Sequence, residues 1–277
     1  MSVNTHCLPT GALGSNEVNV PNVSDSKMPY MRVNPGSRRG VVVFLHGMVT
    51  STTAAVPVQI VDSGGYFPGL NLTFANSLVT DGWVVIQPSF GEDWSLIRPS
   101  QAIWNDINAD TGNGLRYLTN MLHWWDHVMA WIHTNVGVVP VVLYGGSWGG
   151  WHTFQIAKNK TSTIGGYMSR CGATILSDVS AAFTNPVDFT AINTTGLDVT
   201  AHYMDTINLP GHISWGTSDP AVGFTDQQTL YNNAHTAGMP VTNYSGTGEG
   251  HDFPTAAETD MFSWVQSTLD PLFPAVF

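Results

Sequence analysis

Gly145-Gly146-Ser147-Trp148-Gly149 fits the pattern G-x-S-x-G and stands where the sequence pattern changes. Residues 138–144 before it (Val-Val-Pro-Val-Val-Leu-Tyr) form an apolar run of strand length, and residues 150–157 after it have the composition of a helix. A serine on a sharp, strained turn between a strand and a helix is exposed above the edge of a sheet. Small flanking residues let the chain and a substrate approach that serine. The sequence therefore predicts that Ser147 is a nucleophile.

The rest of the chain alternates between strand-like and helix-like segments. Buried strands are predicted at Val41–Leu45, Trp83–Gln87, Ile164–Arg170, Pro210–Gly216 and Pro240–Tyr244. Helices are predicted at Phe74–Thr80, Thr225–Ala237, Pro254–Leu269 and, most clearly, over residues 115–136, whose apolar side chains share one face. This alternation favours an α/β fold with a mostly parallel central sheet and helices on both faces.

The length of 277 residues suits one domain of this kind, which we place at residues 41–277. Residues 1–40 are rich in Pro, Asn and Ser and are predicted to form an N-terminal arm with edge strands. Residues 171–209 contain few charges and several turn signals, so they are predicted to be a small cap or insertion in the domain.

Composition narrows the classes of partner and location. A net charge of −11 with only nine Lys and Arg argues against a nucleic-acid partner. No apolar run reaches about 18 residues, so no integral membrane segment is expected. The first residues lack the basic start and apolar core of a secretory signal, which predicts a cytoplasmic protein, or an extracellular or virion-borne one exported by another route. Whether Cys7 and Cys171 form a disulfide is left open.

A serine hydroxyl needs a base to remove its proton, and the base needs an orienting carboxylate. In this strand–turn–helix topology the expected chain order is serine, acid, histidine. Asp219 follows the strand predicted at 210–216, and His251 lies in the loop after the strand predicted at 240–244. Each residue is therefore expected at the carboxyl end of a different strand, where chemistry in open α/β sheets collects. Asp178, beyond the preceding strand, is the rival acid.

These segments together resemble the α/β-hydrolase superfamily. The matching pieces are Gly145–Gly149, His46-Gly47-Met48, Gly216–Asp219 and Gly250-His251, and the resemblance spans roughly residues 40–268. It implies Ser147 as nucleophile, Asp219 as acid and His251 as base. It also implies an oxyanion hole formed by the backbone N–H groups of Met48 and Trp148. The implied reaction is hydrolysis of a carboxylic ester, with no metal or organic cofactor.

Two alternative functions remain at this stage. Gly-Gly-Ser-Trp-Gly-Gly (145–150) is also similar to the elbow of the prolyl oligopeptidase group, which implies a peptidase or amidase. That group generally carries a large additional domain, for which 277 residues leave no room. The other alternative is a structural or binding protein on a hydrolase scaffold, within a virion or a homo-oligomer, because the chain is poor in Lys and rich in Asn and Thr. An N-terminal arm paired to its own sheet would weaken that alternative.

Four tryptophans are candidate substrate contacts. Trp148 and Trp151 flank the nucleophile, and Trp94 and Trp104 lie in the segment 88–112, which is expected to overhang the site. Aromatic faces bind acyl chains or sugar rings. The predicted substrate is a small-molecule or polymer-bound ester, such as a cell-envelope lipid or an acylated polysaccharide. Packing within the core or a lid is the alternative role for each ring.

Overall fold

The structure is a computed structural model, and it describes residues 3–6, 30–33, 39–45, 72–86, 115–175, 196–251 and 255–275. Its strands are β1 (Val3–His6), β2 (Tyr30–Val33), β3 (Gly40–Leu45), β4 (Trp83–Ile86), β5 (Val141–Gly146), β6 (Gly166–Arg170), β7 (Gly211–Gly216) and β8 (Val241–Gly246). Its helices are α1 (Leu72–Thr80), α2 (Leu115–Asn135), α3 (Trp148–Asn159), α4 (Phe224–Thr236) and α5 (Thr255–Trp264). After α5 come a π-helical turn (Val265–Leu269) and a short α6 (Asp270–Leu272), and a 3₁₀ turn (Thr161–Thr163) precedes β6.

The strands form one sheet in the order β1-β2-β4-β3-β5-β6-β7-β8. Strands β3 to β8 run parallel to one another, whereas β1 and β2 pair antiparallel at one edge. The predicted α/β class with a mostly parallel sheet is thus confirmed. β1 and β2 both lie within residues 1–40 and belong to the sheet. Of the predicted cap at 171–209, only residues 171–175 and 196–209 are described, and these contain no helix or strand.

Strand β3 shows how the sheet is covered on both faces. Successive side chains of a strand point to opposite faces. Val41, Val43 and Leu45 belong to the core cluster that includes residues of α2, α3 and α4, while Val42 and Phe44 belong to the cluster that includes residues of α1 and α5. All five side chains are fully buried. A strand covered on both faces has no position for a polar residue, which explains its continuous apolar run.

Helix α2 buries a wider stripe than its sequence period suggests. Trp125, Met129 and Ile132 lie on the predicted apolar face and are buried. Trp124 and Val128, one position to the side, are buried as well. The two adjacent tryptophans broaden the contact of this helix with the sheet, because large side chains reach beyond the narrow stripe that a period of three or four residues defines.

Strand β5 begins later than the sequence predicts and continues further. Val138 is 87% exposed and lies outside the sheet. Pro140 has no N–H to donate to a neighbouring strand, although its carbonyl accepts a bond from the Val41 N–H at 2.8 Å. The strand then continues through Gly145, which pairs with β3. It therefore ends immediately before Ser147, with no intervening loop.

A buried histidine lies between β7 and α5. The His212 side chain is almost fully buried, its Nδ1 is 2.9 Å from Thr242 Oγ1, and its ring centroid is 5.6 Å from that of Trp264. The partly exposed carboxylate of Asp260 lies 3.4 Å from its Nε2. Burial lowers the pKa of His212 to about 4, because the imidazolium form would lose its hydration.

We expect His212 to make folding stability fall as the pH drops below 6.5. The unfolded chain protonates this side chain near its ordinary pKa of 6.5, whereas the folded state keeps it neutral down to about pH 4. The contribution to stability is thus present above pH 6.5 and is lost as the pH falls towards 4. Between pH 7 and pH 5 the loss is about 2 kcal/mol.

Chemical denaturation at pH 7 and pH 5 measures this effect. His212→Asn should show a smaller loss of unfolding free energy over this interval than the wild type. His235→Asn, at an exposed position on α4, is the matched control and should lose as much as the wild type. An equal pH dependence in all three proteins would contradict the assignment.

Candidate active site

Ser147 occupies a strained turn between β5 and α3. Its backbone has φ 55° and ψ −119°, a conformation that costs a non-glycine residue about 1–3 kcal/mol. Its N–H donates to the Arg170 carbonyl at 2.9 Å, and its own carbonyl accepts from the N–H groups of Gly150 and Ala173, both at 2.9 Å. The residue is partly exposed. The turn after β6 therefore holds the predicted nucleophile by both of its backbone polar groups.

Glycines around Ser147 permit a close approach of α3 to the sheet. A Cβ added at Gly145 would lie against the carbonyl of Gly149 and the hydroxyl of Thr153. A Cβ added at Gly150 would lie against the Cα of Gly172, in the turn after β6. Any larger residue at either position would displace the helix or the turn. The small residues of the motif thus set the position of the helix that follows the serine.

Asp219 and His251 are hydrogen-bonded to each other. The Asp219 Oδ2 atom lies 2.8 Å from His251 Nδ1, and the Asp219 side chain is fully buried. Its other oxygen, Oδ1, accepts from the backbone N–H groups of Ala221 and Val222 at 2.8 and 3.0 Å. The carboxylate is therefore fixed at both oxygens. Because an ionised carboxylate only accepts, Nδ1 of His251 carries a proton and Nε2 is the basic nitrogen of the neutral ring.

The loops that carry this pair are joined by backbone hydrogen bonds. Thr217 N–H donates to the Gly246 carbonyl at 3.0 Å, and Ser218 N–H donates to the Glu249 carbonyl at 2.9 Å. In return, the Gly248 N–H donates to Thr217 Oγ1 at 2.8 Å. The loop after β7 and the loop after β8 thus form one unit. The separation of the acid and the histidine is set by main-chain geometry rather than by flexible side chains.

One of the two predicted oxyanion donors lies within the described residues. Trp148 is the first residue of α3, at the end where the backbone N–H groups of a helix point outward. The helix dipole adds partial positive charge at this end. Met48, the other predicted donor, lies outside the described residues, as do Trp94, Trp104 and the rival acid Asp178.

The two described tryptophans of the predicted substrate site are core residues. The rings of Trp148 and Trp151 stack with centroids 5.1 Å apart, and the two residues are 1% and 0% exposed. Trp151 Nε1 also donates to the Leu197 carbonyl at 2.6 Å. Rings buried in this way pack within the core and present little surface to a substrate. Their burial favours the packing role over the predicted substrate contact.

A buried ion pair next to the turn at Ser147 joins β5, β6 and α5, and it was not predicted from the sequence. Arg170 Nη1 donates to Glu258 Oε1 at 3.0 Å, and both side chains are at most 5% exposed. The same Nη1 lies 3.3 Å from the Tyr144 hydroxyl. Burial raises the pKa of Tyr144 to about 12, so this hydroxyl stays neutral. The pair connects the strand before the nucleophile and the strand beside it to the helix that follows His251.

Cys171 is the other residue that sequence reasoning missed, although it directly follows the strand next to the acid. Ligand atoms of Cys171, Asp219 and His251 lie within 4.8 Å of one another, a donor set of a type that can bind zinc. Asp219 already accepts three hydrogen bonds, however, and burial raises the pKa of the Cys171 thiol to about 12. A protonated thiol beside a carboxylate that already accepts three hydrogen bonds is a poor donor set for zinc. That no metal is required stays a prediction.

Comparison with known proteins identifies the fold. No family model and no curated protein matches the sequence. Among solved structures, Est1E from Butyrivibrio proteoclasticus superposes with a TM-score of 0.61 at 12% identity, covering 92% of this chain and 98% of its own. A cold-adapted esterase from an Arctic intertidal metagenomic library gives 0.58 at 14% identity, covering 97% and 100%. Acylaminoacyl peptidase of Pyrococcus horikoshii gives 0.60 at 12% identity, covering 87% of this chain but 39% of its own.

The chain has the α/β-hydrolase fold. The sheet order, the turn at Ser147 and the positions of Asp219 and His251 at successive strand ends agree with the resemblance drawn from the motifs. At identities of 9–14% the comparison establishes the fold, and both esterases and peptidases share it. Within the described residues, no helix is both long and apolar enough to cross a membrane.

Removing the charge of Glu258 should destabilise the protein strongly. Glu258→Gln keeps an oxygen that can accept from Arg170, but it leaves a buried guanidinium without its anionic partner. The expected loss is about 3 kcal/mol of unfolding free energy. Asp126→Asn is the matched control, because its pair with Lys160 at 2.6 Å is half exposed and should contribute less than about 1 kcal/mol. Equal losses in urea denaturation would show that the buried pair has no special role.

Proposed function

We propose that this protein is a serine hydrolase that cleaves a carboxylic ester through an acyl-enzyme intermediate. The observation that carries the proposal is the hydrogen bond between buried Asp219 and His251, 2.8 Å long, in a fold with a strained serine turn. Residues 170–173 connect the turn at Ser147 with the Asp219–His251 pair. Arg170 and Ala173 bond the backbone of Ser147, and the sulfur of Cys171 between them lies within 4.8 Å of ligand atoms of Asp219 and His251.

In the proposed mechanism Ser147 Oγ attacks the acyl carbonyl while His251 Nε2 takes its proton. Asp219 keeps the Nδ1 proton in place and stabilises the imidazolium that forms. The negative charge on the tetrahedral intermediate is stabilised by the Trp148 N–H, with Met48 as the proposed second donor. His251 then protonates the leaving alcohol. Water attacks the acyl-enzyme by the same route in reverse and releases the acid.

An ester is proposed as the first candidate substrate because two of the structural neighbours are esterases. The two esterases match this chain over 98% and 100% of their own lengths. The matching peptidases are much longer proteins, of which this chain spans 39% and 33%. A serine peptidase or amidase remains the second candidate, supported by the similarity of these peptidase domains. The purely structural alternative is weakened because β1 and β2 pair with the sheet of their own chain.

Ser147→Ala should abolish covalent labelling and ester turnover. A fluorophosphonate should label the wild type at Ser147, identified by peptide mass, and kcat on a p-nitrophenyl ester should fall by at least about 10³-fold in the variant. Ser263→Ala, an exposed serine on α5, is the control and should keep full activity. A folded wild type that neither labels nor hydrolyses any ester would overturn the proposal.

Paired substrates separate the ester and peptide candidates. A p-nitrophenyl ester and a p-nitroanilide of the same acyl group differ in the bond cleaved while sharing the acyl pocket. We expect turnover of the ester and little of the anilide, and a series of acyl lengths then sizes the pocket. Acylated polysaccharide and phospholipid substrates extend the panel to polymer-bound and envelope esters. Faster cleavage of the anilide would favour the peptidase.

Asp219→Asn tests which carboxylate serves as the acid. The amide can place a donor towards Nδ1 and so favours the wrong tautomer of His251, which should lower kcat by about 10³- to 10⁴-fold. Asp178→Asn, at the rival position, should retain wild-type kcat. The opposite ranking of the two variants, with both proteins folded by circular dichroism, would transfer the role to Asp178.

A further inference from the structure

The loop that carries His251 is rich in glycine. Residues 246–251 read Gly-Thr-Gly-Glu-Gly-His, so every second position before the histidine lacks a side chain. Glycine loses more conformational freedom on folding than any other residue, so such a loop needs contacts to adopt one conformation. Glu249 is the only residue between Gly246 and His251 with a side chain longer than that of threonine. Its contacts therefore bear on how firmly the proposed base is held.

The side chain of Glu249 folds back onto β8. The Tyr244 hydroxyl donates to Glu249 Oε1 at 2.9 Å, and both residues are partly buried. A Cβ added at Gly246 would lie against the same carboxylate, so the side chain passes directly over the last residue of the strand. The Glu249 N–H also donates to the Gly246 carbonyl at 3.2 Å. The carboxylate and the backbone of Glu249 thus both join the loop to the end of β8.

The backbone of Glu249 also contacts the loop of the acid. Its carbonyl accepts from the N–H of Ser218, the residue before Asp219, at 2.9 Å. A Cβ added at Gly216, the last residue of β7, would lie against the same carbonyl, so the two loops approach closely. Glu249 is therefore bonded to β8 through its side chain and to the neighbour of the acid through its backbone. It lies two positions before His251.

We infer that Glu249 is a positioning residue of the candidate active site, whose carboxylate, bonded to the Tyr244 hydroxyl, holds the loop of His251 so that the ring meets Asp219. The inference rests on the proposed function, because it gives Glu249 a role through the base of that triad. The carboxylate is bonded to Tyr244, so it acts on the loop and not on the reacting atoms. Because a misplacement of about 1 Å can lower a rate about 100-fold, loosening of this loop should be visible in kcat.

Amide hydrogen exchange tests the contact without any need for activity. The Ser218 N–H is bonded to the Glu249 carbonyl, so its exchange rate, measured by NMR, reports how often the two loops separate. Loss of a hydrogen bond to a charged group should make this exchange about tenfold faster in Tyr244→Phe and in Glu249→Ala. Unchanged exchange at Ser218 in both variants would overturn the inference, whether or not the protein hydrolyses esters.

Two further variants serve as matched controls. Glu249→Gln keeps an oxygen that accepts from the Tyr244 hydroxyl, so exchange at Ser218 should stay close to that of the wild type. Tyr203→Phe removes a similar bond outside the two loops, because the Tyr203 hydroxyl donates to Gln155 Oε1 on α3 at 2.6 Å. It should leave exchange at Ser218 unchanged even where it lowers the melting temperature.

Ester turnover tests the effect on catalysis. With a p-nitrophenyl ester, kcat should fall about tenfold in Tyr244→Phe and in Glu249→Ala with KM unchanged. Glu249→Gln should stay within about twofold of the wild type, since it keeps the acceptor. The double variant Tyr244→Phe/Glu249→Ala should lose no more than either single variant, because both substitutions remove the same bond. Tyr203→Phe should keep wild-type kcat.

The outcomes separate this inference from the proposed function. If the wild type labels at Ser147 and turns over ester, but Glu249→Ala keeps its kcat or Glu249→Gln loses as much, the inference is wrong. If Tyr203→Phe loses as much kcat as Tyr244→Phe, general destabilisation explains the loss and the inference is again wrong. If the wild type neither labels nor turns over ester, the proposed function fails. Exchange at Ser218 alone then decides whether the side chain of Glu249 holds the loop.

Discussion

The hydrogen bond from the Ser147 N–H to the Arg170 carbonyl is the constraint on which the site depends. A non-glycine residue at φ 55° and ψ −119° persists only where the surrounding structure fixes it. The Ala173 N–H fixes the other side of the same residue by bonding its carbonyl. The residues at the end of β6 thus fix the turn that follows β5. Because β6 lies between β5 and β7, the residues that hold the serine also reach the acid.

Two buried charged side chains at these strand ends, Arg170 and Asp219, are held by partners from other elements. Arg170 pairs with Glu258 on α5, and Asp219 accepts hydrogen bonds from its own turn and from His251 in the loop after β8. A buried charge left without its partner costs several kcal/mol, so alternative arrangements of these loops are strongly disfavoured. The same partners that stabilise the fold therefore preorganise the proposed chemistry, which reduces the reorganisation required during the reaction.

Sequence patterns predicted the features that depend on local order. Apolar runs such as Val41–Leu45 located the parallel strands, and the order of Ser147, Asp219 and His251 placed them at strand ends. The sequence pattern was a poor guide where contacts between distant parts of the chain determine the structure. Pro140 delayed the start of β5, and burial of the Trp151 ring follows from a helix packing closely over the sheet. The Arg170–Glu258 pair spans 88 positions and carries no local signal, so only the folded chain brings it together.

The turn after β6 forms hydrogen bonds with both of its neighbouring strand ends. The Arg170 carbonyl and the Ala173 N–H both form hydrogen bonds with the backbone of Ser147. Cys171 between them is bonded to the Ser214 carbonyl and takes the left-handed backbone that lets the turn reverse. A carboxylate at position 171 would add another buried negative charge beside the Arg170–Glu258 pair. A neutral side chain there avoids that charge, and the proposed acid, Asp219, follows the next strand instead.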